Sequence, residues 1–333
     1  MKVALITEGS AEIGFGHISR CISLYQAFKE KGISPDFLIN TDEKISNFMN
    51  NTNFLVLDWI KNEITLFKDI KDYDIAIIDS YLADLSIYKK IAQNVKVAAY
   101  VDDTMRFNYP PGVVINGSIH ANKLNYPNNP NIDYLLGPKY SMLKKEFWTI
   151  PTKIANIGID KILITFGGSD IRNLTPNVIK LLNNEFSNII KKIVIGKSFK
   201  NIAQIEVVSN EASKLIYFPS TKTMKEEMIS ADIAITAGGQ TVYELACVGV
   251  PAITVAVSKN QIHSVKICDE LGLNYYAGWW EDKNLFDNIK KNIHNLKNQE
   301  LRKKMIKRSQ RIIKPDGSRK IIDFLIKKVE YSI

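Results

Sequence analysis

Gly14-Phe15-Gly16-His17 sets a histidine directly behind two glycines. Ahead of it lie the apolar run from Lys2 to Thr7 and the polar Glu8-Gly9-Ser10. Glycines at Gly14 and Gly16 let the backbone turn tightly and come close to a ligand. A histidine that opens a helix meets the positive end of the helix dipole, which disfavours the imidazolium form. A neutral imidazole suits a general base. The same residue could also cap the helix or line a cleft without doing chemistry. Two further glycine turns follow apolar runs in the second half: Phe166-Gly167-Gly168-Ser169-Asp170 and Ala237-Gly238-Gly239-Gln240-Thr241. The second opens a helix, where consecutive N–H groups and the dipole can hold a diphosphate. Glu244, three residues past Thr241, could accept hydrogen bonds from ribose hydroxyls, or simply stabilise the first helical turn as an acid.

Two strand ends are acidic: Asp79-Ser80-Tyr81, and Asp102-Asp103 followed by Arg106. Adjacent carboxylates can share a proton or bind a cation. Successive strand residues point to opposite faces, however, so one of the pair can equally cap the following turn. Asn260-Gln261 starts a helix and offers amide groups toward a sugar. Competing motifs are absent. A Walker A loop ending at Gly196-Lys197-Ser198 would need glycine at Lys191, and Gly14-Phe15-Gly16 continues into His17-Ile18-Ser19 rather than a dinucleotide fingerprint. There is no HExxH and no GxSxG elbow. His120, His263 and His294 lack metal-like spacing, and Cys21, Cys247 and Cys268 form neither a CxxC pair nor an even disulfide set.

These residues need a scaffold that brings strand ends together. Short apolar runs alternate with helical patterns along most of the 333 residues. Strands are expected at Asp36 to Ile39, Asp74 to Ile78 and Val95 to Val101. The second half restarts at Lys161 to Phe166 and continues at Lys192 to Ile195, Lys214 to Phe218, Asp232 to Thr236 and Ala252 to Val257. Ile18, Cys21, Tyr25 and Phe28 give a helix that ends near Gly32. The pattern predicts an α/β protein of two doubly wound, parallel-sheet domains facing a central cleft. In such sheets, ligands sit beyond the carboxyl ends of the strands. The expected divisions are 1–150 and 151–315, with a C-terminal helix in 316–333. Tyr109 to Pro130, with Pro110-Pro111 and Asn-rich turns, is expected to be a long functional loop.

The net charge of +9 is concentrated at one end. Glu281 to Ile333 holds 15 Lys and Arg against 7 Asp and Glu, which is nearly the whole surplus. That distribution argues against nucleic acid, which favours a basic stripe across the fold. The charges read instead as the solvated faces of amphipathic helices over Leu301 to Ile313 and Ser318 to Val329. Weak attraction to anionic membrane surfaces is the other reading, without stable insertion. No apolar run approaches the roughly 18 residues of a spanning helix. Glu8 also comes too early for a secretory h-region, so a cytoplasmic protein is expected.

Taken in order, the motifs resemble a known family. Gly14-Phe15-Gly16-His17-Ile18-Ser19-Arg20-Cys21 is similar to the GxGHxxRC motif of the UDP-sugar hydrolases of pseudaminic acid biosynthesis (PseG/SpsG-like). The Asp79-Ser80-Tyr81 and Asp102-Asp103 strand ends, Leu136-Gly137-Pro138-Lys139-Tyr140 with Glu146-Phe147, and Phe166 to Asp170 with Asn173-Leu174-Thr175 extend the likeness. So do Gly238-Gly239-Gln240-Thr241 to Glu244, Gly249-Val250-Pro251 and Asn260-Gln261, over about residues 1–320. The second-half motifs are shared with GT-B glycosyltransferases at large. The resemblance implies a GT-B fold, with 1–150 as the catalytic and sugar-side domain, 151–315 as the UDP-binding domain and the helix of 316–333 packed back on the first. It also implies hydrolysis of UDP-2,4-diacetamido-2,4,6-trideoxy-β-L-altropyranose to UDP and free sugar, with no metal or cofactor. It makes His17 the main catalytic residue, with Tyr81 and Asn260 assisting at the sugar. Gly167, Gly168, Ser169, Gly238, Gly239, Gln240, Thr241 and Glu244 would hold UDP. Gly14, Gly16, Arg20, Asp103 and Gln261 would complete the substrate contacts. Gln240 departs from the family pattern, in which a smaller Ser is common there. The rival readings are a GT-B transferase acting on a cell-surface glycan, and a non-catalytic, membrane-peripheral nucleotide-binding subunit.

Overall fold

Val3-Ala4-Leu5-Ile6-Thr7-Glu8 is buried at every position, as a central parallel strand with both faces covered must be. The structure is a computed structural model and describes residues 1–10, 13–41, 49, 52, 54–62, 66 and 70–331. The chain divides into two units, Met1–Trp148 with Pro315–Ile333, and Thr149–Lys314.

The first unit runs β1 (Val3–Glu8), α1 (Gly16–Glu30), β2 (Asp36–Asn40), β3 (Leu55–Val56), β4 (Ile75–Asp79), α2 (Leu85–Asn94), β5 (Val97–Val101), β6 (Gly112–Asn116) and β7 (Ile132–Leu136). These strands form one sheet of order β3-β2-β1-β4-β5-β6-β7, parallel at every pairing. The strand order reverses between β1 and β4, and their register pairs Thr7 with Asp79. Strand β6 corrects the long loop expected over Tyr109 to Pro130. Gly112-Val113-Val114-Ile115-Asn116 is fully buried between β5 and β7. The prolines before it and the Asn-rich turns after it mask an apolar run of β-branched residues.

The second unit runs β8 (Lys161–Thr165), α3 (Leu174–Glu185), β9 (Ile190–Ile195), α4 (Ile202–Val208), β10 (Ser213–Tyr217), α5 (Thr221–Ser230), β11 (Ile233–Ala237), α6 (Thr241–Val248), β12 (Ala252–Ala256), α7 (Lys259–Glu270), β13 (Asn274–Trp279), α8 (Leu285–Leu296) and α9 (Gln299–Ile312). Its sheet is also all parallel, in the order β10-β9-β8-β11-β12-β13, and it reverses between β8 and β11. Each unit is therefore a Rossmann-like doubly wound domain.

Helix α10 (Gly317–Tyr331) belongs to the first unit. Ile321, Ile322, Leu325 and Val329 enter the same apolar cluster as Ile18, Cys21, Tyr25 and Phe28 of α1. Ser318 Oγ donates to Ser23 Oγ at 3.0 Å, and Arg319 reaches both carboxylate oxygens of Glu30 at 2.7 and 2.6 Å. Three of the helix's bases are thus engaged in ion pairs within the unit, Arg319 with Glu30, Lys320 with Asp316 and Lys328 with Asp133, while its acid Asp323 pairs with Lys31. No helix among the described residues is long and apolar enough to cross a membrane.

Candidate active site

The reversal point of the first sheet carries the residues with reactive side chains. Gly14 sits at φ +78°, where a side chain would be strained, and its N–H donates to Ser10 O at 2.8 Å. That turn starts α1 so that its second residue, His17, lies over the end of β4. His17 is 4% exposed and Asp79, the last residue of β4, 1% exposed. His17 Nδ1 lies 2.6 Å from Asp79 Oδ1. Arg20 Nη2 also lies 3.0 Å from Nδ1, but a carboxylate can only accept, so the shorter Asp79 contact favours the tautomer with the proton on Nδ1 and the Nε2 lone pair free. Arg20, one turn along α1, donates from Nε to Asp79 Oδ2 at 2.9 Å and from Nη2 to Asp79 Oδ1 at 2.8 Å. Its Nη1 reaches both oxygens of Asp103, at 2.6 and 2.8 Å. Tyr81 Oη donates to Asp103 Oδ2 at 2.7 Å, and its ring stands edge-on to His17 with centroids 4.5 Å apart.

One guanidinium thus ties together two carboxylates that hold the histidine and the tyrosine. Burial pushes the Tyr81 phenol up, and the Asp103 charge pushes it further, so it remains a donor. For Asp103, burial works against ionisation. The Arg20 charge and hydrogen bonds, with the Tyr81 hydroxyl, overcome it and hold the carboxyl at about 2. Its ordinary value is 3.8, so the pair's stabilisation is complete above that pH and is lost as pH falls toward about 2. The stability difference between the protein and Asp103→Asn is therefore expected to shrink across that window in urea melts. A difference independent of pH down to 2 would contradict the assignment.

Beneath this cluster, fully buried Glu8 accepts from Tyr81 N at 2.6 Å and Leu82 N at 3.0 Å, and also from Ser80 Oγ. It fixes the turn that aims Tyr81. Asp102 and Asp103 separate as alternating strand-end residues should. Asp102 is buried and accepts from Met105 N at 2.8 Å and Tyr126 Oη at 2.5 Å, capping its turn, while Asp103 alone joins Arg20. Arg106 donates to Ser80 O and Ala83 O, at 2.5 and 2.9 Å, so it braces the Tyr81 turn as well.

The glycine turns of the second unit both lie at its reversal point. Gly167, Gly168 and Ser169 form an exposed turn after β8. Asp170 is withdrawn from that surface, accepting from Leu174 N at 2.9 Å, Thr175 N at 3.0 Å and Asn201 Nδ2 at 2.9 Å. Gly238 follows β11, and a Cβ there would come within 2.5 Å of Val265 Cγ1, so glycine lets α7 pack against the turn. Gly239, Gln240 and Thr241 lead into α6, and Glu244 lies in its first turn, half-buried. Gln261 Oε1 accepts from Val257 N at 3.0 Å, which makes it a brace of the β12–α7 turn. Asn260 is exposed at the start of α7. The structure thus gathers His17, Arg20, Tyr81 and Asp103 in one unit, and Gly167 to Ser169, Gly238 to Thr241, Glu244, Asn260 and Gln261 in the other. The residue that sequence reasoning left without a role is Asp79. The available signal was an acid ending a run of wholly apolar strand residues.

Comparison with known proteins adds kinship to this geometry. Residues 162–320 match the model of the glycosyltransferase family 28 C-terminal domain. An uncharacterized protein of Methanocaldococcus jannaschii is 28% identical over 273 residues, covering 77% of this chain and 55% of that protein. A Helicobacter pylori protein named pseudaminic acid cytidylyltransferase and UDP-2,4-diacetamido-2,4,6-trideoxy-beta-L-altropyranose hydrolase is 23% identical, covering 82% of this chain and 48% of its own length. The chain thus spans about half the length of these two relatives. A Campylobacter jejuni protein named UDP-2,4-diacetamido-2,4,6-trideoxy-beta-L-altropyranose hydrolase is 24% identical, over 70% of this chain and 90% of that one. Among solved structures, Acinetobacter baumannii MurG superposes with a TM-score of 0.69 at 13% identity, over 98% of this chain and 99% of its own. S. aureus MnaA, solved with UDP, gives 0.66 at 14%, over 100% and 97%. The fold is GT-B, and the chain is similar in sequence to proteins named as pseudaminic acid pathway UDP-sugar hydrolases and to the Bacillus subtilis spore coat polysaccharide biosynthesis protein SpsG.

Proposed function

We propose that this protein hydrolyses the glycosyl C1–O bond of a UDP-2,4-diacetamido-2,4,6-trideoxy sugar, the β-L-altropyranose, to UDP and the free sugar. The observation that carries the reading is the buried His17–Asp79 pair at the reversal point of the first sheet. Its geometry leaves a lone pair on Nε2 beside Tyr81. The Helicobacter and Campylobacter relatives carry this activity in their names, and a GT-B neighbour was solved with UDP. In the reaction, water attacks C1 and gives a proton to His17 Nε2 as the C1–O bond breaks. The bonding electrons leave with the diphosphate, and the imidazolium then releases its proton to solvent. UDP is a good leaving group, so the demand is for positioned water, a base and stabilisation of the growing diphosphate charge. Asp79 orients the imidazole and offsets the charge it acquires, and Tyr81, kept protonated and held by Asp103, hydrogen-bonds the sugar. The Gly238–Thr241 turn and the dipole of α6 receive the diphosphate, with Glu244 on the ribose and Asn260 at the sugar.

The family 28 domain match favours a second reading, transfer of the sugar to a glycan acceptor by the same groups. Acceptor-free incubation with a panel of UDP-sugars separates the two. Release of UDP and free 2,4-diacetamido sugar at enzyme-like rates, followed by mass spectrometry, is the expected result. Turnover that appears only on adding a glycan acceptor would replace hydrolysis with transfer. UDP binding without turnover under either condition would leave a non-catalytic nucleotide-binding subunit.

A further inference from the structure

Arg172 follows the Gly167–Ser169 turn and takes no part in the contacts described above. Its guanidinium carbon lies 4.4 Å from the centre of the Trp280 ring, just past the end of β13. Its Nε donates to Val257 O, at the end of β12, at 3.2 Å. The side chain is therefore fixed on both sides, by an aromatic face and by a carbonyl, while its two terminal nitrogens have no hydrogen-bond partner among the described residues. Val257 N in turn donates to Gln261, whose Cβ lies 3.2 Å from where a Cβ on Gly238 would be. Arg172 thus shares the carboxyl edge of the second sheet with both glycine turns. A planar fork, already ordered and lacking a carboxylate partner, is suited to two parallel hydrogen bonds to phosphate oxygens. Stacking on Trp280 lowers the entropy lost when the fork closes on an anion.

We infer that Arg172, stacked on Trp280, is the cationic clamp for the diphosphate of the nucleotide, acting alongside the N–H groups of the Gly238–Thr241 turn. The inference rests on the UDP reading above and goes further by assigning the charge that meets the departing diphosphate. Ground-state and transition-state effects follow together, because negative charge on the diphosphate grows as the C1–O bond breaks.

The test is calorimetric titration of the full chain with UDP, uridine and inorganic pyrophosphate, for the protein, Arg172→Met and Arg172→Lys. Met keeps the apolar stem against Trp280 and removes the fork, and Lys keeps a point charge without it. Arg172→Met is expected to lose about 10- to 100-fold in UDP affinity and the same order for pyrophosphate, with uridine unchanged. Arg172→Lys should fall between the two. Trp280 emission should respond to UDP in the wild-type chain, and the response should vanish in Trp280→Phe. Equal UDP affinity in Arg172→Met and wild type would overturn the clamp while leaving the UDP reading intact, and a parallel loss for uridine would also overturn it by showing a general distortion of the site. Failure of the wild-type chain to bind UDP would remove both readings together.

Discussion

Replacing His17 by alanine is expected to lower UDP release about 10²- to 10⁴-fold, the range for loss of a general base, with UDP affinity unchanged. The side chain contributes its free Nε2 only because Asp79 takes the proton on Nδ1 at 2.6 Å. Removing the imidazole leaves Asp79 still paired by two bonds from Arg20, so the variant keeps its local ion pair and its fold. Asp79→Asn tests the other half of the pair. An asparagine that turns its NH₂ toward the ring would favour the Nε2–H tautomer, which cannot accept a proton, and turnover should fall nearly as far as in His17→Ala. A merely structural role for Asp79 predicts instead a loss of melting temperature with kcat preserved. Single-turnover measurements with UDP-sugar and isothermal titration with UDP separate the two. Normal turnover in His17→Ala would sink the assignment.

The second large effect concerns stability. Arg302 on α9 is 1% exposed, the least exposed of the charged residues in the basic C-terminal segment among those described. It has no carboxylate partner among the described residues. Its Nη1 donates to Leu296 O at 2.5 Å and Lys297 O at 3.3 Å, where α8 ends. Its Nη2 donates to Asn156 O, Ile157 O and Gly158 O at 2.5, 3.1 and 3.0 Å. One cation therefore satisfies the carbonyls that end one helix and those of a loop about 145 residues earlier in the chain. Arg302→Met keeps the apolar stem and strips five carbonyls of their donor. With about 1–3 kcal/mol for each buried polar group left unpaired, and water recovering some of them, a loss of about 3–4 kcal/mol is expected. Hydrogen exchange should show it as faster exchange in peptides from α8, α9 and residues 156–161, with peptides from β1 and β4 unchanged. Equal protection across those peptides in Arg302→Met would show that the carbonyls find other partners.

Arg302 also shows where sequence reading stops. In the sequence it is one cation among the fifteen that read as solvated faces, and nothing local distinguishes it from Lys303 or Lys304, which are exposed. Its burial is decided by the distant carbonyls of Asn156 to Gly158, and a periodicity argument sees only neighbours on its own helix. The parallel strands were legible because a strand covered on both faces must be apolar throughout, as Ile75-Ala76-Ile77-Ile78 is. Asn274–Trp279 escaped that rule, since at the edge of the sheet a strand can carry Tyr, Gly and half-exposed residues. The glycine turns could be read for the same physical reason that they work: a tight approach restricts the residue type. Asp79 was visible as an acid at a strand end, but its role depends on α1 laying His17 and Arg20 across the neighbouring strand end. That juxtaposition is tertiary, and the spacing of 62 residues between His17 and Asp79 carries no trace of it.

The first unit is built from two stretches of chain, 1–148 and 315–331 of the described residues, with the second unit complete between them. During synthesis from the N-terminus, β1, α1 and β4 emerge early, but the apolar face of α1 that receives Ile321, Ile322 and Leu325 has to wait for α10. The second unit, contiguous from 149 to 314, can close its sheet before that moment. The order of maturation is then the reverse of the order of emergence: the second unit can finish first. The unit bearing His17 locks only when α10 docks and Arg319 meets Glu30.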